Sequence, residues 1–242
     1  MIANQSFKET PAPGTASLLE HVRSNAERKG LAVNEKKTAL MCVSAAKTFK
    51  ARVKLSFNGQ SVSGSDSLKI LGVLLDNDCT FASHVQELGR RLRSKTWALS
   101  KLRAKGMDLD DLIEAYKSTI RPTAEYACPA WHSLLTVGQS EHLERQQTQA
   151  LKNIFGVGLS AKKMRVKSGL ERLWIRREQA CVNFSQKNIE NPRCAGWFER
   201  RPAPLYSRRP GATYRTFKEP TSRTDRHRNS PINYARRLLN QQ

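Results

Sequence analysis

Apolar and polar positions along this chain follow three successive patterns. Leu18, Leu19, Val22 and Ala26 recur at helical spacing behind Ser17-Leu-Leu-Glu20, a capping box in which hydroxyl and carboxylate satisfy open amides at a helix start. Gly30 supplies the left-handed residue on which such a helix ends. The short apolar run Thr38-Ala-Leu-Met-Cys-Val-Ser44 predicts a buried strand. Alternation in Val53–Phe57 and Gln60–Ser63, joined by Asn58-Gly59, predicts a hairpin, because that pair accepts the positive φ angles of a type I′ turn. Leu68–Leu75 is apolar nearly throughout and predicts a third strand covered on both faces. Gly72 in its middle marks a bulge or a place where another backbone approaches closely.

From Phe81 the period becomes helical. One helix is predicted over about 81–104, closed by Gly106. A second starts near Asp108, turns Leu112, Ile113, Tyr116 and Ile120 inward and stops before Pro122. A third covers about 136–155, with Leu143, Gln147, Leu151 and Ile154 on one face and Gly156 at its end; a fourth runs from near 170 to 189. Beyond Asn191 the pattern fades: this tail holds six of the ten prolines and 12 basic against 3 acidic residues. Such a composition cannot offset the entropy of ordering, so most of it is expected to be disordered when free, with one short basic helix over Ile232–Leu239. The expected fold is α+β: a disordered 1–16, a small antiparallel β element over 17–79, a helical bundle over 80–190 and a basic tail over 191–242.

Charge narrows the function classes. Lys and Arg number 42 against 21 acidic residues, a net charge of +21, and such self-repulsion is relieved by a polyanion, which makes nucleic acid the natural partner. Cys42, Cys79, Cys128, Cys181 and Cys194 contain no C-x-x-C pair and, with five scattered histidines, build no zinc pattern; reduced, mostly buried thiols in a nuclear or cytoplasmic protein are expected. No segment reads as a signal peptide or membrane span.

An ordered set of short segments then carries a resemblance. Gly30-Leu-Ala-Val-Asn34 with Lys36-Lys-Thr38, Leu71-Gly-Val-Leu-Leu-Asp76, Phe81 with His84-Val85, and Leu102-Arg103 with Gly106 come first. Tyr116-Lys-Ser-Thr-Ile-Arg-Pro122, Glu125-Tyr-Ala127, Trp131-His-Ser133 and Leu143-Glu-Arg-Gln-Gln147 follow, then Ala150-Leu151, Ile154 and Gly156, Leu173 with Arg176-Arg177-Glu178, and Leu239-Asn240. In order and spacing, from about residue 17 onward, they resemble the C-terminal part of reverse transcriptases from non-LTR (LINE-type, Jockey-like) retrotransposons. The resemblance implies that 30–38 is a motif D at the palm's edge, where Lys36 or Lys37 meets the phosphates of an incoming nucleotide, against the plainer reading of a solvated strand entry. It implies that 68–76 is a motif E primer grip, a hairpin supporting the primer end through Leu71, Gly72 and Val73, and that residues from about 81 onward form a thumb.

The same resemblance marks a departure. The family's polymerisation uses magnesium ions held by aspartates, two of them in a Tyr-x-Asp-Asp turn just before the helix that begins near residue 17. Met1–Phe7 carries no paired carboxylate, and the one Asp pair, Asp110-Asp111, falls at a helix start where acids complement the dipole. No catalytic residue, metal ligand or cofactor is therefore assigned, and the chain alone is expected to be inert, its polymerase half missing on the N-terminal side.

What remains is a grip. Arg90, Arg91, Arg93, Lys95, Lys101, Arg103 and Lys105 form a cluster with no acidic residue between 88 and 107, a stripe suited to tracking phosphates without reading sequence. Lys162, Lys163, Arg165 and Lys167 form a second cluster, expected in a loop. Trp97, Trp131, Trp174 and Tyr116 are expected in the core, His84 and His132 packed or capping, and Glu125 paired with Arg121. Three functions compete: a truncated polymerase holding RNA or RNA–DNA or DNA duplex, a non-enzymatic basic RNA- or DNA-binding protein, and a helical protein-interaction scaffold.

Overall fold

The computed structural model describes residues 15–43, 54–57, 60–202 and 216–241. The chain divides into two units, Met1–Ser83 and His84–Gln242. It is mostly helical with two small antiparallel hairpins, an α+β chain.

In the first unit α1 spans Thr15–Glu27. It begins two residues before Ser17, so that residue lies inside the first turn and does not cap it. The C-terminus follows expectation: Gly30 has φ +69°, its amide reaches Glu27 O at 2.9 Å, and Leu31 N reaches Ala26 O at 2.9 Å. These are the paired bonds of a Schellman ending. The apolar face of α1 is only half covered, since Leu18 and Val22 are exposed.

The strand predicted over 38–44 does not form among its described residues. Leu40 makes an isolated parallel bridge to Gly64 and Val43 is exposed, because no neighbouring strand continues the ladder. The first hairpin does form: β1 (Lys54–Phe57) pairs antiparallel with β2 (Gln60–Ser63), in a register with Phe57 opposite Gln60. Its Asn58-Gly59 turn and Val53 lie outside the described residues.

Leu68–Leu75 is not one strand covered on both faces. It is a second hairpin, β3 (Ser67–Ile70) against β4 (Val73–Asp76), with Ile70 opposite Val73. Leu71 and Gly72 make the turn at φ +47° and +86°, so the glycine is a turn residue and not a bulge. The apolar run concealed the turn because Leu71 occupies a position that usually takes Asn or Asp. After β4, Asp76 holds the next turn: its carboxylate accepts from Thr80 N at 2.7 Å and Thr80 Oγ1 at 3.0 Å.

The second unit is helical. The long helix α2 (Ala82–Ala104) ends on Gly106, φ +88°, with the same pair of closing bonds as α1. Next comes α3 (Leu109–Ala115), with Asp110 and Asp111 in its first turn. Leu112, Ile113, Tyr116 and Ile120 are buried as expected, but the helix does not stop before Pro122. A π-turn over Tyr116–Ile120 widens the backbone, and α4 (Arg121–Glu125) continues with the proline in its first turn. Thr123 Oγ1 and Lys95 Nζ donate to Thr119 O at 2.8 and 2.9 Å. The widened turn thereby tolerates a proline that would otherwise break the ladder.

Helix α5 (Val137–Phe155) starts on a complete Thr136/Gln139 capping box, and buries Leu143, Gln147, Leu151 and Ile154 in line. An unpredicted helix, α6 (Ala161–Ser168), follows, and then α7 (Leu173–Asn188). Gly89 lets α2 and α5 approach: the His142 imidazole lies 2.5 Å from where a Cβ on residue 89 would stand.

The tail departs from the expected disorder. A 3₁₀ segment over Pro192–Trp197, a bridge between Arg200 and Phe217 and α8 (Asp225–Arg228) form where disorder was expected, while α9 (Pro231–Leu239) is the short basic helix expected over Ile232–Leu239. Cys194, Phe198, Phe217 and Ala235 form a small core of their own, with Ile189 and Leu239 against it. Helix α9 is tied to α7 where Tyr234 donates to Glu178 at 2.7 Å. Asn240 clasps the Phe217 backbone, accepting from its N–H at 2.8 Å and donating to its carbonyl at 3.1 Å. Few apolar anchors suffice because side-chain amides do the work of a ladder. Residues 1–14 and 203–215, also expected to be disordered, lie outside the described residues.

Candidate nucleic-acid interface

Helix α2 places the first cationic cluster. Val85, Leu88, Leu92, Thr96 and Leu99 turn inward at three- and four-residue spacing, which forces Arg90, Arg93, Trp97, Lys101 and Lys105 to the solvent side. Arg90 to Lys105 spans roughly 22 Å of helix axis, a length over which a duplex presents one phosphate charge per about 1.7 Å.

The seven cations do not form one uniform stripe. Glu87, just outside the acid-free stretch, accepts from Arg90 Nε at 2.8 Å and Arg91 Nε at 3.0 Å. Those hydrogen bonds hold its carboxyl at about 2 and push the Arg90 guanidinium up. Lys95 is engaged with the π-turn carbonyl of Thr119. Arg103 turns back to donate to Asn153 O at 2.9 Å, beside Gly156, and closes the α2–α5 packing. Arg90, Arg93, Lys101 and Lys105 remain on the outer face.

Trp97, expected in the core, stands among them 63% exposed, with Lys101 Nζ 5.2 Å from its ring centre. The signal was in the sequence: Trp97 lies four residues from Arg93 and from Lys101, off the Leu88–Leu92–Leu99 stripe. Trp174 is likewise half exposed, whereas Trp131 and Tyr116 are fully buried as expected.

The second cluster is helical, not a loop. Ser160 caps α6, accepting from Lys163 N at 3.3 Å, and Gly169 ends it at φ +63°. The helix escapes a periodicity search because it buries only Met164 and Ser168. Lys162, Lys163 and Lys167 are exposed, and Arg165 is half-buried. Lys162 and Arg165 line an open notch of about 550 Å³ with Gly169 and Arg172.

In the first unit Lys36 and Lys37 lie exposed in a 3₁₀ turn over Glu35–Lys37. Asn34 holds that turn, accepting at its side chain from Lys37 N at 3.2 Å and at its carbonyl from Thr38 Oγ1 at 3.0 Å. At the tip of the β3–β4 hairpin Leu71 is 87% exposed, while Gly72 and Val73 are half-buried.

The buried polar groups of the second unit are structural. Arg177 is fully buried over the Trp131 ring, its Nε donating to His132 Nδ1 at 3.3 Å and its Nη2 to Ser140 Oγ at 3.2 Å. Burial and the neighbouring Arg177 charge push His132 down to about 4. His84 packs edge-on against Trp131 at 5.2 Å. Glu125 pairs not with Arg121 but with Arg176 of α7, at 2.5 and 3.1 Å. All five cysteines are free thiols; Cys128, Cys181 and Cys194 are buried, and a hydrogen bond to Cys128 together with burial pushes Cys181 up. Among the described residues no group of three or more His, Cys, Asp or Glu side chains is placed to hold a metal ion. No helix among them is long and apolar enough to cross a membrane.

No family model matches the chain, and no solved structure matches it. It is 32% identical over 112 residues to the probable RNA-directed DNA polymerase from transposon X-element of Drosophila melanogaster. The matching stretch covers 44% of this chain and 12% of that protein, so the chain spans a small part of its relative's length. This similarity supports a reverse-transcriptase-related origin for the chain.

Proposed function

We propose that this chain is the palm-edge, primer-grip and thumb portion of a non-LTR, Jockey-like retrotransposon reverse transcriptase, and that it holds RNA, RNA–DNA or DNA duplex by the backbone. The observation that carries this reading is the outer face of α2. Arg90, Arg93, Lys101 and Lys105 stand there in solvent, and no acid occurs between residues 88 and 107. Lysines and arginines so disposed release counterions from phosphates and read no sequence.

The β3–β4 hairpin supports the primer-grip assignment of Leu71, Gly72 and Val73. A leucine in left-handed conformation, exposed at the tip, costs stability without gaining burial, as residues kept for contact do. Lys36 and Lys37 are free to meet nucleotide phosphates, and Lys162, Lys163, Arg165 and Lys167 extend the backbone contacts from α6. Polymerisation in the family runs through magnesium; these residues do not supply its ligands, so the chain binds and does not extend. Its place is with the family's polymerase half, in nucleus or cytoplasm. A second reading, a stand-alone RNA- or DNA-binding protein, is favoured by the net charge of +21.

Titration of the full chain against a fluorescein-labelled RNA–DNA hybrid at rising KCl tests the binding. Log affinity should fall with log salt by about 0.9 for each phosphate contact. A flat response would sink both nucleic-acid readings and leave a protein-interaction scaffold. Primer extension with Mg²⁺ or Mn²⁺ should give no product from this chain; any extension contradicts the inert assignment.

A further inference from the structure

We infer that Trp97 is a base-stacking platform, and that the outer face of α2 therefore takes unpaired or terminal nucleotides on this ring in addition to gripping duplex by the backbone; this rests on the backbone-binding reading above. A tryptophan usually goes inside a helical protein, where its large surface is buried. Here the side chain is 63% exposed, and Trp131, at a core position of the same unit, is fully buried. The difference comes from Trp97 lying on the solvent side of α2, away from the inward line of Leu92, Thr96 and Leu99.

Its neighbours point to one kind of occupant. Arg93 precedes it by one turn and Lys101 follows it by one turn, with the Lys101 ammonium 5.2 Å from the ring centre. Arg90 lies a further turn back, on the same side. Covering this ring with an apolar protein surface would strip water from several cations that, among the described residues, are met by no carboxylate beyond Glu87. A nucleotide satisfies both demands, since its phosphates face the cations and its base faces the indole. In a duplex the base faces are already stacked on one another, so only an unpaired or terminal base presents one. Such stacking is tolerant of sequence, which accords with a grip that reads none.

The test uses the full chain with two fluorescein-labelled probes, an oligouridine and an RNA–DNA hybrid, against Trp97→Ala, Trp97→Phe and Arg93→Gln. Trp97→Ala should weaken oligouridine binding by roughly 10-fold to 100-fold and leave hybrid binding nearly unchanged. Its salt slope should match that of the native chain, because no phosphate contact is lost. Trp97→Phe should keep most of the affinity. Arg93→Gln should weaken both probes and reduce the salt slope by about 1. Equal affinity of Trp97→Ala and the native chain for oligouridine overturns the stacking inference, while steep salt dependence in both keeps the backbone reading intact. Equal losses on both probes overturn it too, since the ring would then act through the helix and not through a base. A native chain that responds to salt with neither probe removes the backbone reading, and the inference with it. Unchanged thermal midpoints in the two Trp97 variants exclude misfolding as the cause of any loss.

Discussion

Arg177 sits in the core, where the charges of Glu144 and Glu125 partly offset its burial, and its guanidinium leans on Trp131 and donates to His132 and Ser140. The bond to His132 Nδ1 requires a neutral imidazole, because a protonated ring has no lone pair to offer. Burial and the Arg177 charge therefore hold the His132 pKa at about 4, below its ordinary 6.5. In the unfolded chain the ring takes up a proton near 6.5, so between these values the unfolded state binds more protons and stability rises with pH. The contribution is complete above about pH 6.5 and is lost as pH drops towards 4, by at most about 3 kcal/mol. Burial also lowers the pKa of His84 and His142 in the second unit, where Arg91, and Arg145 with Arg93, respectively add to the effect, and Glu87 adds to the pH dependence below about pH 5, so His132 is one of several sources of the native chain's slope. The decisive quantity is the difference in urea-unfolding free energy between the native chain and His132→Asn across that pH range. A shallower slope is expected in the variant; identical slopes would remove His132 from the account. None of this was legible from sequence, where Arg177 reads as one of three consecutive charged residues on a helix and His132 as a lone histidine. Only the crossing of α7 over the 131–134 turn makes them partners.

Elements whose signals are local were the legible ones. Helices α2, α3, α5 and α7, the first hairpin and the glycine endings of α1 and α2 follow from apolar period and turn chemistry along a few residues. The elements missed share a cause, a local signal that conflicts with the final structure. Leu71 at a left-handed position made β3 and β4 read as one strand, Pro122 masked a helix that a π-turn carries through, and α6 lacks an apolar stripe. Ordering of the tail depends on Asn240, Tyr234 and Phe217 meeting residues 20 or more positions away, beyond any window. Of the candidate site, the acid-free cation run was plain from sequence and the exposure of Trp97 was implicit in its spacing from Arg93 and Lys101, but the diversion of Lys95 and Arg103 into packing was not. The β3–β4 turn also yields a prediction. A left-handed leucine costs on the order of 1 kcal/mol that asparagine avoids, so Leu71→Asn should slow hydrogen exchange of the hairpin amides by roughly fivefold. Faster exchange in that variant would mean that Leu71 contributes more through its own contacts than the turn loses in strain.

Over the whole molecule a net charge of +21 sets two salt dependences of opposite sign. In the free chain like charges repel across the surface, and screening them favours the compact state. In the bound chain the same cations hold phosphates, and salt competes for them. Without nucleic acid the thermal midpoint should therefore rise as KCl is raised from low concentration. With a saturating oligonucleotide the midpoint should start higher and converge on the free curve as salt increases. At a ligand concentration 100 times its Kd the linkage is about 2.7 kcal/mol, roughly 5–10 °C for a chain of this size. The two curves are read from one calorimetric series, with and without an RNA–DNA hybrid. A rise in the free chain with no separation between the curves would mean that the charge only affects solubility and self-repulsion. Separation that persists undiminished at high salt would mean that binding does not run through phosphates, and would move the interface away from the cationic faces of α2 and α6.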